Sequence, residues 1–162
     1  MKIAGLSCLA FMAGILGGLA GTLDDAPFRI ALPSEGWTLS DSAAQSMGKG
    51  VSLVAIITQK GTQLKSLVIK TEFENPSATS FDDLCAGIRD SFGNPAVKKL
   101  SDEPAAFLGF KGRRFTYEVN GTSYNEAMVF VSGHTGWTIA CTGTDGQKED
   151  ITKVFTFYQP KQ

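Results

Sequence analysis

RRFTYEVNGTSYNEAMVFV, residues 113–131, decides how this chain reads. Two runs rich in aromatic and β-branched residues, which suit a pleated and partly buried surface, flank Asn120-Gly121. A tight type I′ turn needs positive φ at both central positions, and Asn-Gly meets that need at the lowest steric cost. The stretch therefore predicts an antiparallel hairpin turning at Asn120-Gly121.

The same pattern continues on both sides. SGHTGWTIACTG, Ser132 to Gly143, adds a loop at His134 and a further strand, while AVKKLSDEPAAFLGFKG reads as strand material interrupted at Asp102-Glu103-Pro104. Earlier, VSLVAIITQ (51–59) and SLVIKTEFE (66–74) are joined by KGTQLK and predict a second hairpin with a longer turn. Both faces of that hairpin are largely apolar, which points to a sheet covered on both sides. FRIALP, Phe28 to Pro33, alternates as a strand would, and the small, polar stretch from Ser40 to Gly50 reads as a loop.

Two segments change period. In SFDDLCAGIRDSFG, residues 80–93, Phe81, Leu84, Cys85, Ile88 and Phe92 recur at helical spacing and Gly93-Asn94-Pro95 supplies a stop. Ser80 with Asp83 resembles a capping box, as does Thr144 with Gln147 ahead of the apolar Ile151, Val154 and Phe155. A helix is expected at each place, the second followed by an extended tail from Phe157. Strands, helix, strands, helix gives an α+β class: an antiparallel β-sheet of about six strands with helices packed on its faces. A chain of 162 residues that is 43% hydrophobic suits one such core.

The N-terminus has a different character. MKIAGLSCLAFMAGILGGLAG begins with Lys2 and continues uncharged through Leu23, with Gly18 and Ala20 placed as in a cleavage site. This layout predicts a secretory signal peptide over residues 1–20, cut after Ala20, and a single mature domain over 21–162 in the periplasm or outside the cell. The run is also about long enough to span a bilayer, so an uncleaved anchor is the alternative and the one route by which the chain would meet a membrane. Lipidation at Cys8 is disfavoured because most of the apolar run follows that cysteine.

FRIALPSEGW, the two hydrophobic strands after it, SFDDLCAGI, GFKGRRFTYEVNG, GWTIACTG and ITKVFTF together resemble the PsbP-like and DcrB-like α/β/α sandwich proteins. The resemblance spans nearly the whole mature chain as a pattern of strands, turns and helices. It implies a small antiparallel sheet between helices, export, and binding or accessory roles with no shared active site. Many members carry Ser-Phe after the last helix, where this chain has Thr156-Phe157.

The residues themselves support few chemistries. His134 is the sole histidine, and Cys141, seven residues further along a strand rising about 3.3 Å per residue, would stand roughly 20 Å away. A general base must lie within hydrogen-bond reach of its nucleophile. Ser132 and Ser123 lack a G-x-S-x-G elbow, no cysteine and histidine spacing suits zinc, and no glycine-rich phosphate loop occurs. No cofactor is expected. Removal of Lys2 would leave 14 basic residues against 16 acidic ones, a net charge near −2, so Lys98-Lys99 and Lys111, Arg113, Arg114 read as solvated strand edges and not as a nucleic-acid track. Asn120-Gly121-Thr122 also matches a glycosylation acceptor, though the turn explains it without a sugar.

In an exported chain Cys85 and Cys141 could form a disulfide if the helix covers the Cys141 face of the sheet, or stay as two separate buried thiols. The expected function is a non-enzymatic accessory or immunity-type protein that contacts another envelope or secreted protein. Trp37, Arg113, Arg114 and Tyr124 are the candidate contact residues, since aromatics and arginines dominate interface hot spots; Trp37 reads equally as a plug at the core edge. The alternatives are a small-ligand or lipid-binding module with a pocket between sheet and helix, and an enzyme of unrecognised type.

Overall fold

A computed structural model describes residues 23–33, 35–41 and 45–162; the predicted signal peptide and its cleavage point lie outside them. The hydrophobic hairpins build the centre. Strands β4 (Val51–Gln59) and β5 (Lys65–Glu72) pair antiparallel, as do β6 (Val97–Phe107), β7 (Phe110–Val119), β8 (Ser123–Ser132) and β9 (Thr135–Thr144) in a meander. The two groups join where β5 pairs β9, with Ser66 opposite Cys141 and Lys70 opposite Trp137. Short strands β2 (Trp37–Ser40) and β3 (Gln45–Gly48) run along the outer edge of β4, completing an eight-stranded antiparallel sheet.

Strand alternation divides the sheet into two apolar faces. Helix α1 (Ser80–Ser91) brings Leu84, Cys85 and Ile88 onto one, against Phe115, Tyr117, Ala127, Val129 and Ala140. The other carries Val68, Phe130, Trp137, Ile139 and Cys141. Helix α2 (Lys148–Val154) covers it with Ile151 and Val154. Beside α2, a two-stranded ribbon of β1 (Phe28–Ile30) and β10 (Tyr158–Pro160) presses Phe28 edge-on to Trp137, ring centroids 5.2 Å apart. Lys70, 4% exposed, ties the segment leading into β1 to this face through Asp25 at 3.1 Å and pairs with Glu72 at 2.9 Å.

The turns follow local chemistry. Asn120 and Gly121 have φ of 54° and 65°, and Thr122 N–H donates to the Val119 carbonyl at 3.2 Å, as a type I′ turn requires. Gly133, φ 59°, and His134 form the two-residue turn between β8 and β9. Gln147 Oε1 accepts the Thr144 N–H at 2.9 Å, the reach-back bond of the expected capping box.

Several expectations need correction. The sheet has eight strands and not about six, because residues 45–48 of the expected loop pair with β4 and β2 adds another short strand. Asp102-Glu103-Pro104 does not interrupt its strand; β6 runs through it and turns at Leu108-Gly109. Pro104 is tolerated because β6 is an edge strand, where a missing N–H leaves no ladder bond unmade. FRIALP forms a strand only at Phe28–Ile30 and pairs with the C-terminus, outside the main sheet. Ser80 caps no helix through a box with Asp83; its hydroxyl accepts the Ser77 N–H at 2.9 Å, and Thr79 occupies the cap position.

Candidate functional site

His134 sits at an exposed turn at one end of β9, and its carbonyl accepts the Phe73 N–H at 3.1 Å. Cys141 lies towards the other end of that strand, 2% exposed, with its thiol 3.2 Å from Ser66 Oγ. Ser66 Oγ in turn lies 3.3 Å from the Tyr158 hydroxyl, so a short polar chain crosses the floor of the α2 face. Burial pushes the Cys141 thiol up to about 12, against the smaller opposing effect of Ser66. Burial likewise pushes the Cys85 thiol up to about 11. Thiols of this kind are protonated at neutral pH and behave as small hydrophobes.

Of the two alternatives for these cysteines, the bridge is not formed and the separate buried thiols are found: both are free. Cys141 belongs to the apolar layer under α2, and Cys85 to the layer under α1 on the opposite face. Ala140, the neighbour of Cys141 on β9, belongs to α1's layer. The sheet itself stands between the two sulfurs.

The four candidate contact residues do not form one surface. Trp37 is half-buried at the β2 edge, its ring edge-on to Phe157 at 4.9 Å, which is the core-plug arrangement. Arg113 and Arg114 are consecutive on β7 and therefore point to opposite faces. Arg114 Nε donates to Glu126 Oε1 at 2.7 Å on the α2 face, where Tyr124, 9% exposed, carries the Lys148 ammonium over its ring at 5.0 Å. Arg113 turns to the α1 face and joins Arg89 on Asp102.

That last cluster is the main charged constellation of the α1 face. Arg89, from the last turn of α1, donates through Nε to Asp102 Oδ2 at 2.8 Å. Arg113 Nε donates to Asp102 Oδ1 and its Nη2 to the Asp102 carbonyl at 3.2 Å. Partial burial works against the Asp102 carboxylate, yet the two guanidiniums outweigh it and hold the carboxyl below its usual range. Arg89 also lies 5.7 Å from the centre of the Phe115 ring. Sequence reading missed Asp102 because it took that residue for a break. Glu126 was legible in principle: one acid inside the apolar run YNEAMVFV, on the inward parity of β8, requires a buried partner.

Two open hollows lie at the rim of the sheet and not beneath a helix. One, about 540 Å³, is lined by Gln63, Lys65, Thr122, Ser123 and the end of β9 from Thr142 to Thr144. The other, about 440 Å³, is mostly apolar and follows the β6–β7 hairpin from Pro104 to Gly112. Among the described residues no group of three or more His, Cys, Asp or Glu side chains is placed to hold a metal ion. No described helix is long and apolar enough to cross a membrane.

An antiparallel sheet with a helix on each face and its terminal strands paired separately can be compared directly with solved structures. The solution structure of the cyanobacterial PsbP protein CyanoP from Synechocystis sp. PCC 6803 superposes with a TM-score of 0.61, over 91% of this chain and 98% of that one, at 16% identity. The chain has a PsbP-like fold. LpqN of Mycobacterium tuberculosis, described as involved in cell envelope biogenesis, superposes with a TM-score of 0.53 over 86% of this chain and 89% of its own, at 11% identity. No protein-family profile and no curated protein sequence matches. At these identities the PsbP-like likeness concerns the fold, and function must be argued from this chain's own residues.

Proposed function

We propose that this chain is an exported, non-catalytic accessory protein that works by binding another protein of the cell envelope. The observation that carries the reading is the separation of its reactive groups. The one histidine stands on an exposed turn, while both described thiols are buried on opposite faces of the sheet with their acidity suppressed. What the surface offers instead is arginines in defined geometry, an apolar hollow and an exposed Leu100, the materials of protein contact. The likeness of fold to LpqN, a protein described as involved in cell envelope biogenesis, supports the envelope setting. The signal-peptide layout of residues 1–20 supports export. The finer immunity-type role and membership of the DcrB-like group belong to the same reading.

Crosslinking in living cells followed by affinity capture of the tagged chain from envelope extracts tests this. One protein recovered reproducibly and in near-stoichiometric amount is the expected result. Recovery of no reproducible partner overturns the reading.

A further inference from the structure

Resting on that reading, we infer that the partner docks on the α1 face along β6 and β7, and that it presents an acidic segment there. The register of the edge hairpin decides which charges share a face. Lys99 pairs with Tyr117, Asp102 with Phe115, Pro104 with Arg113 and Ala106 with Lys111, and Phe115 and Tyr117 belong to the layer under α1. Cross-strand partners share a face, so Lys99, Arg113 and Lys111 line up on the α1 side, joined there by Arg89 from the helix. Lys111 lies over the Phe81 ring at 5.7 Å. Against these stand Asp102, already shared by both arginines, Asp82, which acts on Arg89 from the first turn of α1, and the exposed Asp83 and Asp90 of the same helix, so the excess belongs to the hairpin itself, where Lys99, Lys111 and Arg113 face the single carboxylate of Asp102.

The other side of the same hairpin carries no cationic excess. Lys98 pairs with Glu118 at 3.5 Å, Arg114 with Glu126 at 2.7 Å, and Glu103 stands opposite Arg114. Alternation has sorted the basic groups of this edge so that their excess falls on one face. The chain as a whole has a formal net charge of −1, so that excess is local. A cationic strip of this kind steers and selects an oppositely charged surface. Two arginines converging on one carboxylate leave guanidinium donors in the fork geometry that suits further carboxylates.

Apolar contact is available at the same edge. Leu100, 41% exposed, is the exposed large hydrophobic side chain among the described residues; it sits where the register of β6 shifts. The hollow from Pro104 to Gly112 adjoins Lys111. The irregularity at Leu100 and the proline at 104 interrupt the outward hydrogen-bonding edge of β6, so an added strand would find only a short ladder. The partner is therefore read by side chains: carboxylates on the strip and apolar groups at Leu100 and the hollow.

Site-specific photo-crosslinking in the exported protein tests this. A benzophenone amino acid replaces Leu100 in one version and, as control, Lys60 at the exposed β4–β5 turn in another. Lys99→Glu with Lys111→Glu, both exposed positions, then reverses charge without touching the Asp102 cluster. The expected result is one protein adduct at position 100, absent at position 60, whose crosslinked peptide has an acidic excess, and which falls by about fivefold or more in the charge-reversed protein. An unchanged adduct in that protein, or a captured partner that crosslinks only at position 60, overturns this inference and leaves the proposed function standing. Recovery of no partner overturns both. Co-sedimentation with phosphatidylglycerol vesicles that is lost on charge reversal, with no protein adduct, assigns the strip to a lipid surface and also overturns the inference.

Discussion

The Cys141 thiol points at Ser66 Oγ, 3.2 Å away on the neighbouring strand, and away from the helix that carries Cys85. Both thiols are enclosed in apolar layers and neither has a sulfur partner.

Reduction should therefore leave the intact mass of the domain unchanged. At pH 8 a thiol reagent should label Cys85 and Cys141 about two orders of magnitude more slowly in the native protein than in denaturant, because the thiolate fraction is suppressed and access is blocked. The sign of the pH effect is fixed as well. The unfolded thiols ionise near pH 8.5 and the native ones only near 11 and 12, so stability is level below pH 8.5 and falls as pH rises towards the native values. Each thiol contributes up to about 1.4 kcal/mol per pH unit across that window. Urea unfolding at pH 7, 9 and 10 with single Cys→Ser variants reads this directly, and equal stabilities at all three pH values would contradict it.

Arg114 and Glu126 should respond unequally to truncation. Glu126 is 2% exposed and Arg114 about a third exposed at its side chain. Arg114→Ala strands a buried carboxylate and should cost about 3 kcal/mol. Glu126→Ala frees a guanidinium that can turn to water, and should cost less. Replacing both, as Arg114→Met with Glu126→Leu, should recover much of the Arg114→Ala loss. Thermal unfolding of the three variants checks the order.

Asp102 ties α1 to the β6–β7 edge through Arg89 and Arg113. Asp102→Asn keeps the shape and removes the charge, and should cost about 1 kcal/mol at neutral pH, more than an isolated surface pair because one carboxylate serves two guanidiniums. Because its native pKa lies below the unfolded value, this stability is present above pH ~4 and is lost as pH falls through the native value. Acid titrations of wild type and Asp102→Asn should therefore converge at low pH and separate above pH ~4.

Two close approaches separate backbone from side-chain crowding. A Cβ at Gly112 would stand 2.8 Å from the Val129 carbonyl oxygen and 3.3 Å from that of Ala105, both fixed in the sheet. A Cβ at Gly136 would meet Leu84 Cδ2 at 2.7 Å and the Phe73 ring at 3.1 Å, groups that can shift. Gly112→Ala should cost about 2–3 kcal/mol and Gly136→Ala about 1–2 kcal/mol, with the second change loosening α1 specifically. Amide exchange in α1, faster in Gly136→Ala than in Gly112→Ala, distinguishes them.

Local chemistry made much of this legible in advance. The Phe81, Leu84, Cys85, Ile88 stripe marked the helix because one buried face needs that spacing, and Asn120-Gly121 marked its turn because few residue pairs accept positive φ twice. What failed to read locally depends on distant partners. Phe28–Ile30 pairs with Tyr158–Pro160 at the far end of the chain, and nothing within FRIALP says that its partner is there and not in the main sheet. Pro104 looked like a break because a proline ends a central strand; only its edge position makes it harmless. Residues 45–48 are too polar and glycine-rich to announce a strand, and they become one because β4 leaves an edge free beside them.

The sequence by itself determined which side chains travel together. Trp137, Ile139 and Cys141 share one side of β9, and Arg113 parts from Arg114 on β7, because strand side chains alternate with a period of two. Which helix each side meets was decided only by the tertiary structure. Alternation treats the two faces of a sheet alike, and the connections that carried α1 to one face and α2 to the other are set by packing of the whole chain. That choice placed the sheet between Cys85 and Cys141, and gathered Lys99, Arg89, Arg113 and Lys111 on a single face.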